Sequence, residues 1–236
     1  MSITQDLPEI QIVRHARAKR LRLRVFANSI RLTVPLLCSS RQIDLFLKQS
    51  ESWLVETWQK QQIITQEQPQ NLPKEICLFD SSVAIQIDYV EQKEAFIYFA
   101  EKHTVRINPT QAELNLKAFI LFYAKHKLPQ YLKQLSLECA LPFAKCNIRH
   151  AKTRWGSCNQ QHDIMLNAAL VLYPQHIVRY VCIHELAHTR YFDHSLAFWS
   201  ELEKYDGAFK AHRKFLKTNA LPYWWHNVAK KPDLSR

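Results

Sequence analysis

Residues 184–194 read His184-Glu185-Leu186-Ala187-His188-Thr189-Arg190-Tyr191-Phe192-Asp193-His194. Two histidines four apart, with a glutamate after the first, form the H-E-x-x-H pattern. At about 3.6 residues per helical turn, His184 and His188 stand one turn apart on one face. Both imidazoles can then reach one tetrahedral zinc ion, with Glu185 projecting toward the water such an ion activates. His194 follows six residues after His188. A turn at Phe192-Asp193 would bring it back as a third ligand and leave the fourth position open, as in catalytic rather than structural zinc sites.

These side chains need a helix, and the sequence provides one. Pro174 suits a first helical position, where its missing N–H costs nothing. From Ile177 to Ala187 the chain is apolar on nearly every side, which predicts a buried helix. His184, Glu185 and His188 inside it need partners, because an unpaired buried polar group costs about 1–3 kcal/mol. One metal would serve all three. Ser195 can cap a following helix over 196–205, carrying Phe198, Trp199 and Leu202, and another is predicted over about 208–217. Upstream, 146–150 reads as a strand. Arg154-Trp155-Gly156-Ser157-Cys158 and Ile164-Met165-Leu166-Asn167 read as a hairpin directly preceding the metal helix. Helical spacing runs from Gln111 to Ala140 through Leu114, Ala118, Leu121, Phe122, Leu132 and Leu135, and Pro129 is predicted to kink or divide it.

The N-terminal part reads as β-structure with one apolar and one basic face. Leu21, Leu23 and Val25 alternate with Arg20, Arg22 and Arg24, and Ile30, Leu32 and Val34 with Arg31 and Thr33. Ser39 or Ser40 is expected to cap a helix running to about Gln62. A polar connector covers 66–74, and short strands are predicted at about 75–79, 83–91, 95–100 and 103–108, extending the N-terminal sheet. The expected organisation is a β-rich region with one helix over 1–110, a helical metal-binding domain over 111–220, and a tail over 221–236 holding Trp224 and Trp225.

Composition narrows the classes. The chain has 236 residues, 47% hydrophobic, and only 2 glycines, so Gly-rich phosphate loops of the P-loop or dinucleotide type are absent. The longest apolar run, 118–124, is far too short to span a bilayer, and the first residues lack the layout of a signal peptide. A cytoplasmic chain without membrane association is expected, its 6 cysteines reduced and free of C-x-x-C spacing. The net charge of +11 favours polyanionic partners. Arg20, Arg22, Arg24 and Arg31 are the candidates for tracking DNA or RNA phosphates, or else form a solvated outer face.

Three blocks together resemble the YgjP-like metallopeptidase family, relatives of SprT- and WSS-type zincins. They are Thr153-Arg154-Trp155-Gly156-Ser157-Cys158; Met165-Leu166-Asn167 leading to Leu170; and His184-Glu185-Leu186-Ala187-His188 followed by Asp193-His194-Ser195 and Phe198-Trp199. The resemblance implies an α+β fold: a zincin-like helical domain with a small antiparallel sheet, preceded by an N-terminal antiparallel β-region. It implies that His184, His188 and His194 bind one zinc ion, that Glu185 is the catalytic base, and that the substrate is a polypeptide. Position 191 is Tyr where metzincins place Gly, so the turn to His194 differs from theirs. Arg154, Trp155 and Asn167 are candidates for contacting substrate, with packing beneath the metal helix the other reading of Trp155. Arg154, Tyr191 and His150 are candidates for stabilising the oxyanion. Cys158 has no base placed beside it by sequence, which argues against a thiol nucleophile. Two alternatives keep the basic charge in play: hydrolysis of phosphoanhydrides or phosphodiesters at the metal, and a protease acting on nucleic-acid-bound proteins.

Overall fold

The computed structural model describes residues 7–26, 29–67, 71–151 and 153–226. The chain divides into two compact units, Met1–Pro69 and Gln70–Arg236. The architecture is α+β, with three small sheets and seven α-helices among the described residues.

In the first unit, strands β1 (Ile10–Arg14), β2 (Arg22–Phe26) and β3 (Ser29–Val34) form a sheet in the order β1-β3-β2. β2 and β3 make the antiparallel hairpin that the alternation predicts, with Arg24 opposite Arg31, while β1 runs parallel to β3. The sheet is therefore mixed rather than antiparallel throughout. The reason is topological: β1 and β2 flank β3 on opposite sides, so the connection over 15–21 carries the chain past the place that β3 later fills. Ala27 and Asn28, expected at the hairpin turn, lie outside the described residues. Arg20 sits in the bend before β2 rather than within it.

The single helix expected over 39–62 is two, α1 (Ser40–Gln49) and α2 (Glu51–Glu67). Ser39 caps the first with a capping box to Gln42. Ser50 closes it, its N–H shared between the carbonyls of Phe46 and Leu47, and its own carbonyl takes the N–H of Leu54. Ile30, Leu54 and Trp58 form one small core here, and Leu32, Val34 and Ile43 another.

The second unit begins with a sheet of its own. Strands β4 (Glu75–Ile76), β5 (Ile85–Tyr89), β6 (Phe96–Phe99) and β7 (Thr104–Ile107) pair only with one another, in the order β4-β5-β7-β6. This corrects the expectation that they extend the N-terminal sheet. Their apolar faces pack instead on α3 (Ala112–Cys139), where Phe96 and Tyr98 meet Phe119 edge-on or tilted at 5.6 and 5.2 Å. α3 runs unbroken through Pro129. Burial of Leu128, Leu132 and Leu135 around the proline offsets the one hydrogen bond it removes.

The remaining elements frame the site. Strands β8 (Lys145–Arg149), β9 (Gly156–Cys158) and β10 (Asp163–Asn167) form a sheet in the order β8-β10-β9. β9 is antiparallel to β10, as expected of the hairpin, but β8 is parallel to it. Helices α4 (Gln175–Ala187), α5 (Leu196–Tyr205), α6 (Phe209–Thr218) and the short α7 (Tyr223–His226) follow. Trp224 and Trp225 are each 3% exposed and join the core, so the tail packs back at least that far. No helix among the described residues is long and apolar enough to cross a membrane.

Candidate metal centre

α4 carries the motif at its C-terminal end. Pro174 is its N-cap, and His188 is its C-cap, still in right-handed helical geometry. His184 and His188 therefore keep one helix face, as the spacing predicts. The chain then turns: the N–H groups of Thr189, Arg190 and Tyr191 bond back to the carbonyls of Leu186 and Ala187. Asp193 accepts from the N–H of Ser195, and Ser195 caps α5. This compact turn returns His194 to the other two rings.

Ligand-type atoms of His184, His188 and His194 all lie within 4.8 Å of one another. Nε2 of His194 stands 3.1 Å from Nε2 of His184. Two nitrogens bound at tetrahedral angles to one zinc ion are about 3.3 Å apart, given Zn–N bonds of about 2.0–2.1 Å. The rings thus fit a small tetrahedral cation. Nδ1 of His188 bonds to the carbonyl of Tyr191 at 2.9 Å, which leaves its Nε2 for the ion. Nδ1 of His184 is buried and has no partner among the described residues. Burial first, then His188, His194 and Arg213, pushes the His184 imidazole down to about 3, so it stays neutral and able to donate a lone pair. Phe198, fully buried, lies under all three rings at centroid distances of 4.9, 4.5 and 4.9 Å. It walls water off from below the three imidazoles.

Glu185 is 6% exposed, and its carboxylate lies against the backbone of Gly156 in β9. A Cβ at Gly156 would stand 2.5 Å from Oε1 of Glu185, nearer than real Cβ contacts come. Gly156 is therefore required for space, not for backbone freedom. Burial pushes the Glu185 carboxyl up to about 8, with Arg154 pulling the other way. A carboxyl so buried holds its proton more tightly than an exposed one does.

The other candidates separate. Arg154 is exposed and lies in electrostatic range of Glu185. Trp155 packs edge-on against Tyr173 at 5.1 Å. Asn167 is 4% exposed, and both N–H groups of its amide are used. Its Nδ2 donates to the carbonyls of Ala151 and Arg154, and its Oδ1 accepts from Ala169. Asn167 thus braces the Arg154 loop. His150 meets Trp225 edge-on at 4.9 Å. Burial, Glu185 and Asp163 push the Cys158 thiol up to about 11, which makes it a poor nucleophile. Sequence reasoning missed the parts played by Gly156 and Phe198. The scarcity of glycine was the available signal for the first.

β9 is an edge of its sheet. The N–H of Asn167 donates to Trp155 and that of Asn159 to Asp163, so the odd-numbered residues of this stretch face β10. The peptide groups of Gly156 and Cys158 point the opposite way.

No curated protein matches the chain. Among solved structures, the crystal structure of the metallopeptidase zymogen of Pyrococcus abyssi abylysin is similar, with 25% identity over 39% of this chain and 94% of that one, at a TM-score of 0.35. The model of the YgjP-like family, described as a metallopeptidase domain, matches residues 19–219, most of the sequence. With the motif, the clustered imidazoles and this match together, the chain belongs to the YgjP-like metallopeptidase family.

Proposed function

We propose that the chain hydrolyses peptide bonds with one zinc ion held by His184, His188 and His194, and with Glu185 as general base. The observation that carries this reading is the 3.1 Å approach of the His184 and His194 Nε2 atoms. Zinc, when bound, supplies a Lewis acid that polarises a carbonyl and acidifies water. Everything else falls to the chain. The free edge of β9 pairs with an extended polypeptide through the peptide groups of Gly156 and Cys158. Glu185 takes a proton from the attacking water on a carboxylate oxygen and passes it to the leaving amine. Arg154 lies near enough to steady the charge on Glu185 and to meet substrate. Phe198 keeps bulk water away from beneath the site.

The test is metal content and proteolysis of Glu185→Gln. This variant is expected to retain one zinc per chain and to lose casein hydrolysis. Full hydrolysis by Glu185→Gln, or wild-type protein without zinc, overturns the reading. Phosphoanhydride hydrolysis is disfavoured by the donors: among the described residues, the clustered ligand set is three histidines with no carboxylate.

A second, additional reading concerns the β2–β3 face. Phe26, 41% exposed, lies on the arginine face, with the Arg31 guanidinium 5.8 Å from its ring centre. Arg24 sits directly opposite Arg31, a repulsive arrangement, and among the described residues neither forms an ion pair. Arginines with an aromatic ring are the elements of a single-stranded nucleic-acid platform. Affinity for an oligonucleotide should then fall steeply with salt, with a shallower slope once Arg22, Arg24 and Arg31 are neutralised. No binding at low salt removes this reading.

A further inference from the structure

The two ligands that follow the motif glutamate, His188 and His194, are held by different elements. His188 is oriented by the carbonyl of Tyr191, in the turn after α4. His194 is held at its backbone, where its carbonyl accepts the Trp199 indole N–H of α5 at 3.0 Å. Among the described residues His184 has no such support, its Nδ1 having no partner there. Besides these contacts, the turn and α5 meet at one buried charged side chain. Glu201 of α5, 2% exposed, receives Nη1 of Arg190 on Oε1 at 2.6 Å and Nζ of Lys204 on Oε2 at 2.6 Å. Arg190 immediately precedes Tyr191, and its second guanidinium nitrogen donates to the carbonyl of Ala140 at the end of α3. The Tyr205 hydroxyl lies 3.3 Å from Glu201 and donates to the neighbouring carbonyl of Cys139. A buried carboxylate thus ties the turn behind His188, the helix behind His194 and the end of α3 into one unit.

Resting on the metal reading above, we propose that Glu201, acting through Arg190, is the positioning residue of the metal site: it fixes the separation of His188 and His194 and so sets metal affinity. The arrangement is more than a stabilising ion pair. Its partners are the two segments that must hold still relative to each other for both ligands to address one ion. Outer groups that orient metal ligands typically change metal affinity about 10–100-fold when removed.

The test is zinc affinity of the metal-free chain by competition with a chromophoric chelator, alongside its thermal midpoint. Glu201→Gln and Arg190→Met are both expected to weaken zinc binding about 10–100-fold. Arg179→Ala, which breaks the Arg179–Glu138 pair between α4 and α3, is the control: it should lower the midpoint and leave zinc affinity unchanged. Arg190 is 45% exposed, so Arg190→Met keeps the test decisive if Glu201→Gln does not fold. Zinc affinities of both variants within twofold of wild type overturn the proposal and leave the metal reading standing. A wild-type chain that binds no zinc overturns both.

Discussion

Gly156 shows how one missing methyl group can serve a reaction. Its Cα faces the Glu185 carboxylate so closely that Ala at 156 must displace Oε1, Cδ and Cγ together. Glu185 is buried and has little room to withdraw. Gly156→Ala is therefore expected to lower kcat/KM about 100-fold, the cost of a misplacement of about 1 Å, while metal content stays at the wild-type level. Zinc analysis beside a peptidase assay reads both. Burial of the motif also sets the pH response of the metal-free chain. His184 is pushed from 6.5 down to about 3, so the unfolded chain binds the extra proton as pH falls below 6.5, and stability declines on the acid side. Glu185 is pushed from 4.5 up to about 8, so stability declines as pH rises from 4.5 through about 8. Between 4.5 and 6.5 the two slopes oppose each other. Urea unfolding with chelator present should show greatest stability in that interval, and Glu185→Gln should remove the alkaline decline. At this scale the sequence was most legible. Helical spacing alone puts His184 and His188 on one face, whereas the contact between Glu185 and Gly156 spans two elements and has no local signature.

At the level of elements, legibility followed how far local rules could act unopposed. The cap at Ser39, one of the two serines expected to supply it, and the β2–β3 alternation are local, and both stand as predicted. The break at Ser50 was missed because an apolar stripe continues across it from Phe46 to Leu54 and Trp58. α3 failed in the opposite sense. Pro129 suggested a kink or a division, yet burial on both sides of it keeps one helix, and the apolar spacing holds at Leu132 and Leu135 but not in the first half. Leu114 and Phe122 are each 39% exposed, while Leu116, Phe119 and Ile120 are buried. A run that is apolar on every side, as 118–124 is, carries no periodic signal to say which side turns in. The tail was undecided for a related reason: two tryptophans do not say what they pack on. Trp225, 3% exposed and edge-on to His150, ties α7 to the core cluster. Trp225→Ala is expected to destabilise the fold by about 3–5 kcal/mol, measured as a lower urea midpoint.

For the whole molecule, the open question in the sequence was where the chain divides. A boundary near 110 follows from reading all the strands as one sheet. The cores argue for a different place. Among the described residues, the cluster around the metal helix draws only on those from 72 onward, including Ile85, Ile87, Val105 and Ile107 of the second sheet. Among the described residues, the clusters of the first unit draw only on positions up to Trp58. Cutting at 110 would strip α3 of the sheet that covers Phe119 and would expose Val105 and Ile107, both fully buried. At about 25 cal/mol per Å² of apolar surface, losing several such side chains exceeds the usual stability of about 5–15 kcal/mol. Two truncations separate the boundaries. Residues 70–236 alone are expected to unfold cooperatively and to bind one zinc ion, whereas residues 111–236 should show neither behaviour. Circular dichroism with a zinc titration reads the outcome. A folded, zinc-binding 111–236 fragment would show that the second sheet is dispensable, and would return the boundary to where the sequence first suggested it.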